Sequence, residues 1–368
     1  MRVRRLFIIV KVFFLLFFVL AGCGFKDIDK RIFIMGIGID VTDDEKNPYK
    51  VTLKLAVPTG SLKESGANYT YISKHGNSLA ETIQYLKTHS DKELDFGHLR
   101  TIILSEKVVK RNIEEVLDFF RRRRDIQMIS YIAVGQPSAE KIIKTEPKSE
   151  MAGSMSLINF FSDNAVESSY IVQTHLFDFV RRMKESGYDP IMPIIKMDEN
   201  DDGLVVNQSI IINGKNNFIT LSEEQTKYYN ILSKGTKKLN VTVTQEDLTF
   251  TMYIDTINSK FKIITNKGKP YINVNVDVIG IIEETNQKLQ DEKLEEYSKI
   301  VKKEMEKQVS SLLKYFQENK ADPLGFGLRY KATRLHTYNT EQKWKELYPE
   351  IDFKVHINPK IKSTGTVE

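Results

Sequence analysis

The sequence predicts an α+β protein of several domains, built from mixed sheets flanked by helices, with a long amphipathic helix in the C-terminal domain. Three observations carry that prediction. Strand-length apolar runs interleave with helical periods over residues 32–144. Four β-branched runs then follow one another from Leu239, with no helical period between them. Last comes a single apolar stripe at helical spacing over residues 289–316. A chain of 368 residues is too long for one ordinary core, which predicts two or three domains. With 41% hydrophobic and 28% charged residues it belongs among globular rather than disordered chains.

The first 22 residues are an address rather than a domain. Arg2, Arg4 and Arg5 form a basic start, residues 6–20 are apolar apart from Lys11, and the stretch ends in Leu20-Ala21-Gly22-Cys23. That is the three-part plan of a signal peptide, with small residues before the cut. The apolar run is short of the roughly 20 residues a membrane span needs, although an uncleaved span is the competing reading. Leu-Ala-Gly-Cys resembles a bacterial lipobox, in which the cysteine thiol takes a diacylglycerol and becomes the new N-terminus. Cys23 is therefore the candidate lipid-attachment residue. Two acyl chains give durable anchoring, because each buried methylene contributes about 0.8 kcal/mol. Cys23 is also the chain's one cysteine, so no intramolecular disulfide or Cys-rich zinc site is open to it.

The mature chain is expected to divide into residues 23–200, a mixed α/β N-terminal domain; 203–238, a small middle domain; and 239–368, an antiparallel sheet plus the long helix. In the first, residues 32–40 (IFIMGIGID) read as a buried strand and residues 49–57 (YKVTLKLAV) as its hairpin partner. Strands at 69–73, 99–104 and 128–134 alternate with helices at 78–88, from Asn112 to about Arg123, and from Ser138. Residues 150–200 read mainly as helical, with Leu176, Phe179, Val180 and Met183 on one face and Gly187 as a stop. Pro190 and Pro193 then break the chain. Asn213-Gly214 reads as a turn between two strands, and Ser222 with Gln225 as a helix start. Beyond Leu239 come LNVTV, LTFTMYI, FKIIT and YINVNVDVIGII, then the long helix, and a final strand at 351–357.

Composition excludes several chemistries. The formal charge is +5, but four basic and no acidic residues lie in the leader, which leaves 50 basic against 49 acidic residues in the mature chain. Charge thus gives no argument for nucleic acid. The six histidines are scattered, with no pair at metal-ligand helical spacing. Gly36-Ile-Gly38 lacks the third glycine and the following helix of a dinucleotide fingerprint, and Gly325-Phe-Gly327 has no adjacent Lys-Ser/Thr. There is no Gly-x-Ser-x-Gly elbow. His98 reads as a hydrogen-bonded structural residue beside an apolar strand. The run at residues 121–124, four arginines, reads as helix electrostatics, since Glu114 and Glu115 sit in the first turn of the same helix. Contact with acidic headgroups is its functional alternative. The long helix is expected to bury most of its stripe on its own sheet. No enzyme, cofactor, metal or small-molecule site is predicted.

Several segments together are similar to the Ger(x)C family, the C-subunit lipoproteins of spore germinant receptors. The lipobox is followed by Gly36-Ile-Gly-Ile-Asp40, which resembles the family's Gly-x-Gly-x-Asp strand. Gly97-His98-Leu99 leads through an apolar strand to Ser105-Glu106, as in the family. ADPLGFG at residues 321–327 resembles its Asp-Pro-x-Gly-x-Gly segment. Trp344, Tyr348-Pro349 and Gly365 resemble its closing block. The start departs from the pattern: Gly24-Phe25-Lys26-Asp27 stands where Trp-Asp is common. The resemblance implies three mixed α/β domains, no enzyme activity, and work beside two integral membrane subunits in nutrient-triggered germination. It implies a place on the outer face of the cytoplasmic membrane, the inner membrane of the spore. The alternative is a solute-binding lipoprotein of an importer, which needs two similar doubly wound lobes. The helix-free stretch at 239–282 argues against the second lobe. A cell-wall hydrolase, the third possibility, finds no catalytic set.

Overall fold

A computed structural model describes residue 11 and residues 28–57, 68–146, 155–161, 168–199, 203–214, 217–233, 238–265, 268–334 and 338–365. Cys23 and the predicted leader, Lys11 apart, lie outside them. Among the described residues, no helix is long and apolar enough to cross a membrane.

The described strands form two sheets. The first runs β1 (Arg31–Val41), β2 (Tyr49–Val57), β3 (Asn68–Gly76), α1 (Leu79–Leu86), β4 (Glu93–Asp95), β5 (Thr101–Ser105), α2 (Glu106–Arg111), α3 (Ile113–Arg122), β6 (Tyr131–Gln136), α4 (Ala139–Lys144) and α5 (Met155–Asn159). It continues through α6 (Leu176–Lys184), β7 (Ile191–Met197), β8 (Leu204–Asn213) and β9 (Asn217–Leu221). Its strand order is β3-β2-β1-β5-β6-β7-β8-β9, with β4 beside the start of β1. β1, β5, β6 and β7 are parallel, joined by helical crossovers, and antiparallel hairpins extend the sheet at both sides. Both faces are covered, one by α1, α2, α3 and α6 and the other by α4 and α5. That is why residues 102–104 and 132–134 are continuously apolar instead of alternating.

Helix α7 (Glu223–Ser233) leads to the second sheet. Ser222 and Gln225 exchange side-chain and backbone hydrogen bonds at its start, the predicted capping box. The second sheet has the order β10-β11-β12-β13, from β10 (Leu239–Gln245), β11 (Leu248–Ile264), β12 (Tyr271–Thr285) and β13 (Asp352–Ile361). Between β12 and β13 come α8 (Leu294–Glu318), α9 (Phe326–Ala332) and α10 (Tyr338–Leu347). Val301, Met305, Val309, Leu313 and Phe316 of α8 are wholly buried with the inward residues of the sheet. Each such side chain contributes about 1.5–3 kcal/mol.

The structure corrects four expectations. Residues 191–197 form strand β7, not helix. Pro193 precedes the ladder to β6, which begins at Ile194, so its missing N–H costs no bond on that side. LTFTMYI and FKIIT are one strand, β11, whose register slips at two places instead of turning. The predicted antiparallel sheet ends in a parallel pair, because the helical crossover returns β13 in the direction of β12. The long helix begins at Leu294, after a 3-10 turn, and leaves Leu289 ahead of it. Residues 203–238 straddle the two sheets: β8 pairs with β7, while Tyr228, Tyr229, Ile231 and Leu232 of α7 join the core of the second.

Candidate functional site, a buried junction between the two sheets

The turn after α8 is built around Asp322. Both its carboxylate oxygens accept backbone N–H bonds at the start of α9, from Phe326 at 2.8 Å and Gly327 at 2.6 Å. They satisfy donors that a helix N-terminus leaves without partners. Pro323 cannot donate and so fits the turn that leads in. Facing Asp322 is Asp189, from the link between α6 and β7. The Asp322 N–H donates to the Asp189 carboxylate at 2.6 Å, and the Asp189 N–H donates to the Asp322 carbonyl at 2.9 Å. The first sheet is thereby bonded to the second through two aspartates.

Close packing surrounds this pair. Leu328 N–H donates to the Gly187 carbonyl at 2.9 Å. A Cβ on Gly187 would stand 2.8 Å from the Gly327 backbone, and one on Gly327 would stand 2.4 Å from Trp344 Nε1. Gly187 also has φ +78°, a conformation L side chains rarely adopt. Trp344 lies between the rings of Tyr330 and Tyr348, at 5.1 and 5.2 Å. The Tyr348 hydroxyl donates to the Ala321 carbonyl at 2.7 Å. From the first sheet's side, Arg182 lies 4.0 Å above the Tyr188 ring, binds Asp178 at 2.7 Å and donates to the Pro323 carbonyl at 3.4 Å. Asn213 Nδ2 donates to the carbonyls of Asn319 and Lys320.

The electrostatics follow from burial. Desolvation raises the Asp322 carboxyl to about 7, with Asp189 adding to the rise and the N–H donors opposing it. Desolvation likewise raises Asp189 to about 6. Beside the pair is a cavity of about 560 Å³, whose lining includes Glu114, Arg182, Glu185, Lys345 and Trp344. The two carboxylates meet backbone amides, not a nucleophile or a cation, so the arrangement is built to hold two bodies in one orientation. Among the described residues, no group of three His, Cys, Asp or Glu side chains is placed to hold a metal ion.

The structure therefore brings together residues 321–327, Trp344 and Tyr348-Pro349. It keeps Gly36, Gly38 and Asp40 in a separate place. There Asp40 caps α4, accepting from Ala139 and Glu140 N–H, each at 2.8 Å. Gly38 allows that helix to lie on the strand, since a Cβ would meet Ala139 backbone atoms at 3.2 Å. Ser105 caps α2 through Val108 N–H, and Glu106 binds Lys110. His98 is exposed and rests on the Phe33 ring at 4.3 Å. Arg121 and Arg122 pair with Asp118 in the last turn of α3, and Arg123 with Asp125. Gly365 lies near β12, where a Cβ on it would stand 3.1 Å from the Ile282 carbonyl and the Ser363 carbonyl accepts from Ile282 N–H. The sequence marks Gly187 only as a helix stop and gives no sign of Tyr188 and Asp189 as its companions at the junction. The one local signal there, Gly187 and Pro190 in succession ahead of an apolar run, is spent on that stop.

These features define a two-sheet α+β protein whose sheets are locked by buried carboxylates and stacked aromatics. The spore germination protein N-terminal domain family matches residues 24–197, and the spore germination B3/GerAC-like C-terminal family matches residues 207–365. The chain belongs to this family of spore germination proteins. Spore germination protein B3 of Bacillus subtilis (strain 168) is 24% identical over 97% of each chain. Spore germination protein GerQC of Bacillus cereus is 24% identical over 99% of each. The solved structure of the GerBC protein superposes with a TM-score of 0.58 at 21% identity, over 89% of this chain and 97% of that one. That likeness is one of fold.

Proposed function

We propose that this chain is the lipid-anchored C subunit of a nutrient germinant receptor. It is held through Cys23 on the outer face of the cytoplasmic membrane, the inner membrane of the spore. It works through contacts with two integral membrane subunits, not through catalysis. The observation that carries this reading is the family match over both halves of the mature chain, with its relatives covered nearly end to end. The lipobox ahead of the matched region supports the anchor. A junction that fixes two sheets in one orientation suits a part that passes on contacts. The same reading takes residues 23–200, 203–238 and 239–368 as the three units, the middle one bridging the sheets. The second sheet, with three strands in succession and no helix between them, supports this reading over a two-lobed solute binder.

Deletion of the gene in its spore-forming host is expected to abolish or slow germination triggered by at least one nutrient, with non-nutrient triggers unchanged. An unaltered response to every nutrient, in a strain cleared of paralogues, would sink the receptor reading. Cys23→Ala is expected to move the chain out of the lipidated membrane fraction. Retention there at the wild-type level would show that the lipid is not the anchor.

A further inference from the structure

Among the described residues, one end of the first sheet carries most of the exposed large hydrophobic side chains. Among the described residues, Ile129 is 53% exposed, Phe177 47% and Val57 36%, and the only other such residue is Tyr85. All three lie toward the start of β1, Val57 on the neighbouring strand at one side and Ile129 and Phe177 two strand spacings away at the other. Val57 follows Ala56, which pairs with Phe33. Met35 accepts from Arg100 N–H, and Arg100 accepts from Tyr131 N–H. Ser130 Oγ donates to Leu99, and Gln127 Nε2 donates to Gly97. Ile129 is thus two strand spacings from β1, about 10 Å. Leu176 N–H donates to Ser130 and Phe177 N–H to Met128, which sets the Phe177 backbone alongside Ile129. His175 stacks between Tyr131 and Phe177 and binds the Ile129 carbonyl at 2.7 Å, so the apolar pair stands on a braced base.

Exposed cations lie on the elements and links that carry the pair. Arg100, Arg121, Arg122, Arg124, Arg181 and Lys184 are all exposed. Asp118, Asp125 and Asp178 are engaged in ion pairs with arginines. Asp29 just ahead of β1, Asp91, and Glu93 at the start of β4 are exposed acids near this end. The side chain of Arg122 is 79% exposed even while paired, so its charge still faces outward.

The length of chain ahead of β1 says what this end faces. Eight residue steps separate Cys23 from Arg31, and that length spans at most about 28 Å. Resting on the lipid anchoring proposed above, we infer that this end of the first sheet docks on the bilayer. Ile129 and Phe177 enter the headgroup region, and the arginines on the same elements meet anionic lipid. Single exposed apolar residues are ordinary on a protein surface. What distinguishes this end is the adjacency of Ile129 and Phe177, the exposed cations on the same elements, and the short tether to a lipid at the same strand.

Position-specific labelling tests this in the full lipidated chain. The lipid on Cys23 blocks the only native thiol, so a cysteine introduced at Ile129, Phe177 or Asp44 takes the dye alone. Asp44 is exposed in the turn at the opposite end of β1. Vesicles contain phosphatidylcholine with or without phosphatidylglycerol, plus headgroup spin-labelled lipid. The dyes at 129 and 177 are expected to be quenched severalfold more than the dye at 44 in anionic vesicles. Changing Arg122 and Arg124 to Gln is expected to weaken the attraction roughly fivefold per charge. Equal quenching at all three sites, in a chain that floats with the vesicles, overturns the docking alone. So does a dye at 129 that is shielded in native membranes but not in protein-free anionic vesicles, since a protein then covers this face. A chain that fails to float, with Cys23 still reactive to thiol reagents, overturns the anchoring and the docking together.

Discussion

Asp40 and Asp322 perform the same local task in different surroundings. Each is a buried carboxylate that accepts two backbone N–H bonds at the start of a helix. Asp40 works inside one sheet, near a compensating network. Lys50 and Lys144 bind Glu140, and against that residue's burial they pull its carboxyl down to about 2. Asp322 works between two sheets and faces a second carboxylate. Burial raises both aspartates, but only Asp322 carries another acid's repulsion with no cation among its partners. One motif is therefore a packing device within a single sheet layer, while the other joins two sheets at an electrostatic cost.

The sharpest way to break this contrast is to remove the aromatic wedge. Trp344→Ala is expected to cost about 4 kcal/mol in a denaturant titration, from lost burial and the cavity left behind. It should also separate the two sheets' unfolding transitions. Gly187→Ala should cost about 3 kcal/mol, since overpacking against Gly327 adds to strain at positive φ. Gly38→Ala, with a looser approach of 3.2 Å, should cost less than half of that. Equal losses at the two glycines would mean that the junction is no tighter than an ordinary helix–strand contact.

A smaller effect separates the aspartates. Asp322→Asn is expected to cost about 2 kcal/mol, because an amide presents N–H to one of the two donors it must accept from. The folded-state rise of Asp189 and Asp322 means that the native protein holds protons the unfolded chain has released. Their contribution is thus fully present below about pH 4 and falls as pH rises to about 7. Subtracting the Asp322→Asn stability curve from the wild-type curve should expose that slope, and a flat difference would contradict it. Tyr348→Phe, which loses only the bond to Ala321, should cost about 1 kcal/mol.

Much of the fold was legible because its signals are local. Asn213-Gly214 turns, Ser222 caps, and the α8 stripe points inward at helical spacing. What misled was local too. Pro190 and Pro193 read as breaks in the chain, yet Pro193 lies inside β7 at a position with no ladder to β6 to lose. Asp255 and Ser259 interrupt the apolar run of β11, but its long pairing with β12 continues past them. The candidate site was half legible: residues 321–327, Trp344 and Tyr348 stood out as motifs. Their partners Gly187 and Asp189 did not, because a close approach between segments more than a hundred residues apart leaves no periodic trace.

The sequence by itself determined the Leu-Ala-Gly-Cys motif ending at Cys23, the α+β class, the near balance of charge beyond that motif and the family resemblance. Each of these depends on composition, spacing or short ordered motifs. Only the tertiary structure decided that β8 extends the first sheet, that β13 runs parallel to β12, and that Asp189 meets Asp322. Pairing direction and burial are settled by which surfaces come together. A buried aspartate and a solvated one are the same letter until the chain has folded around it.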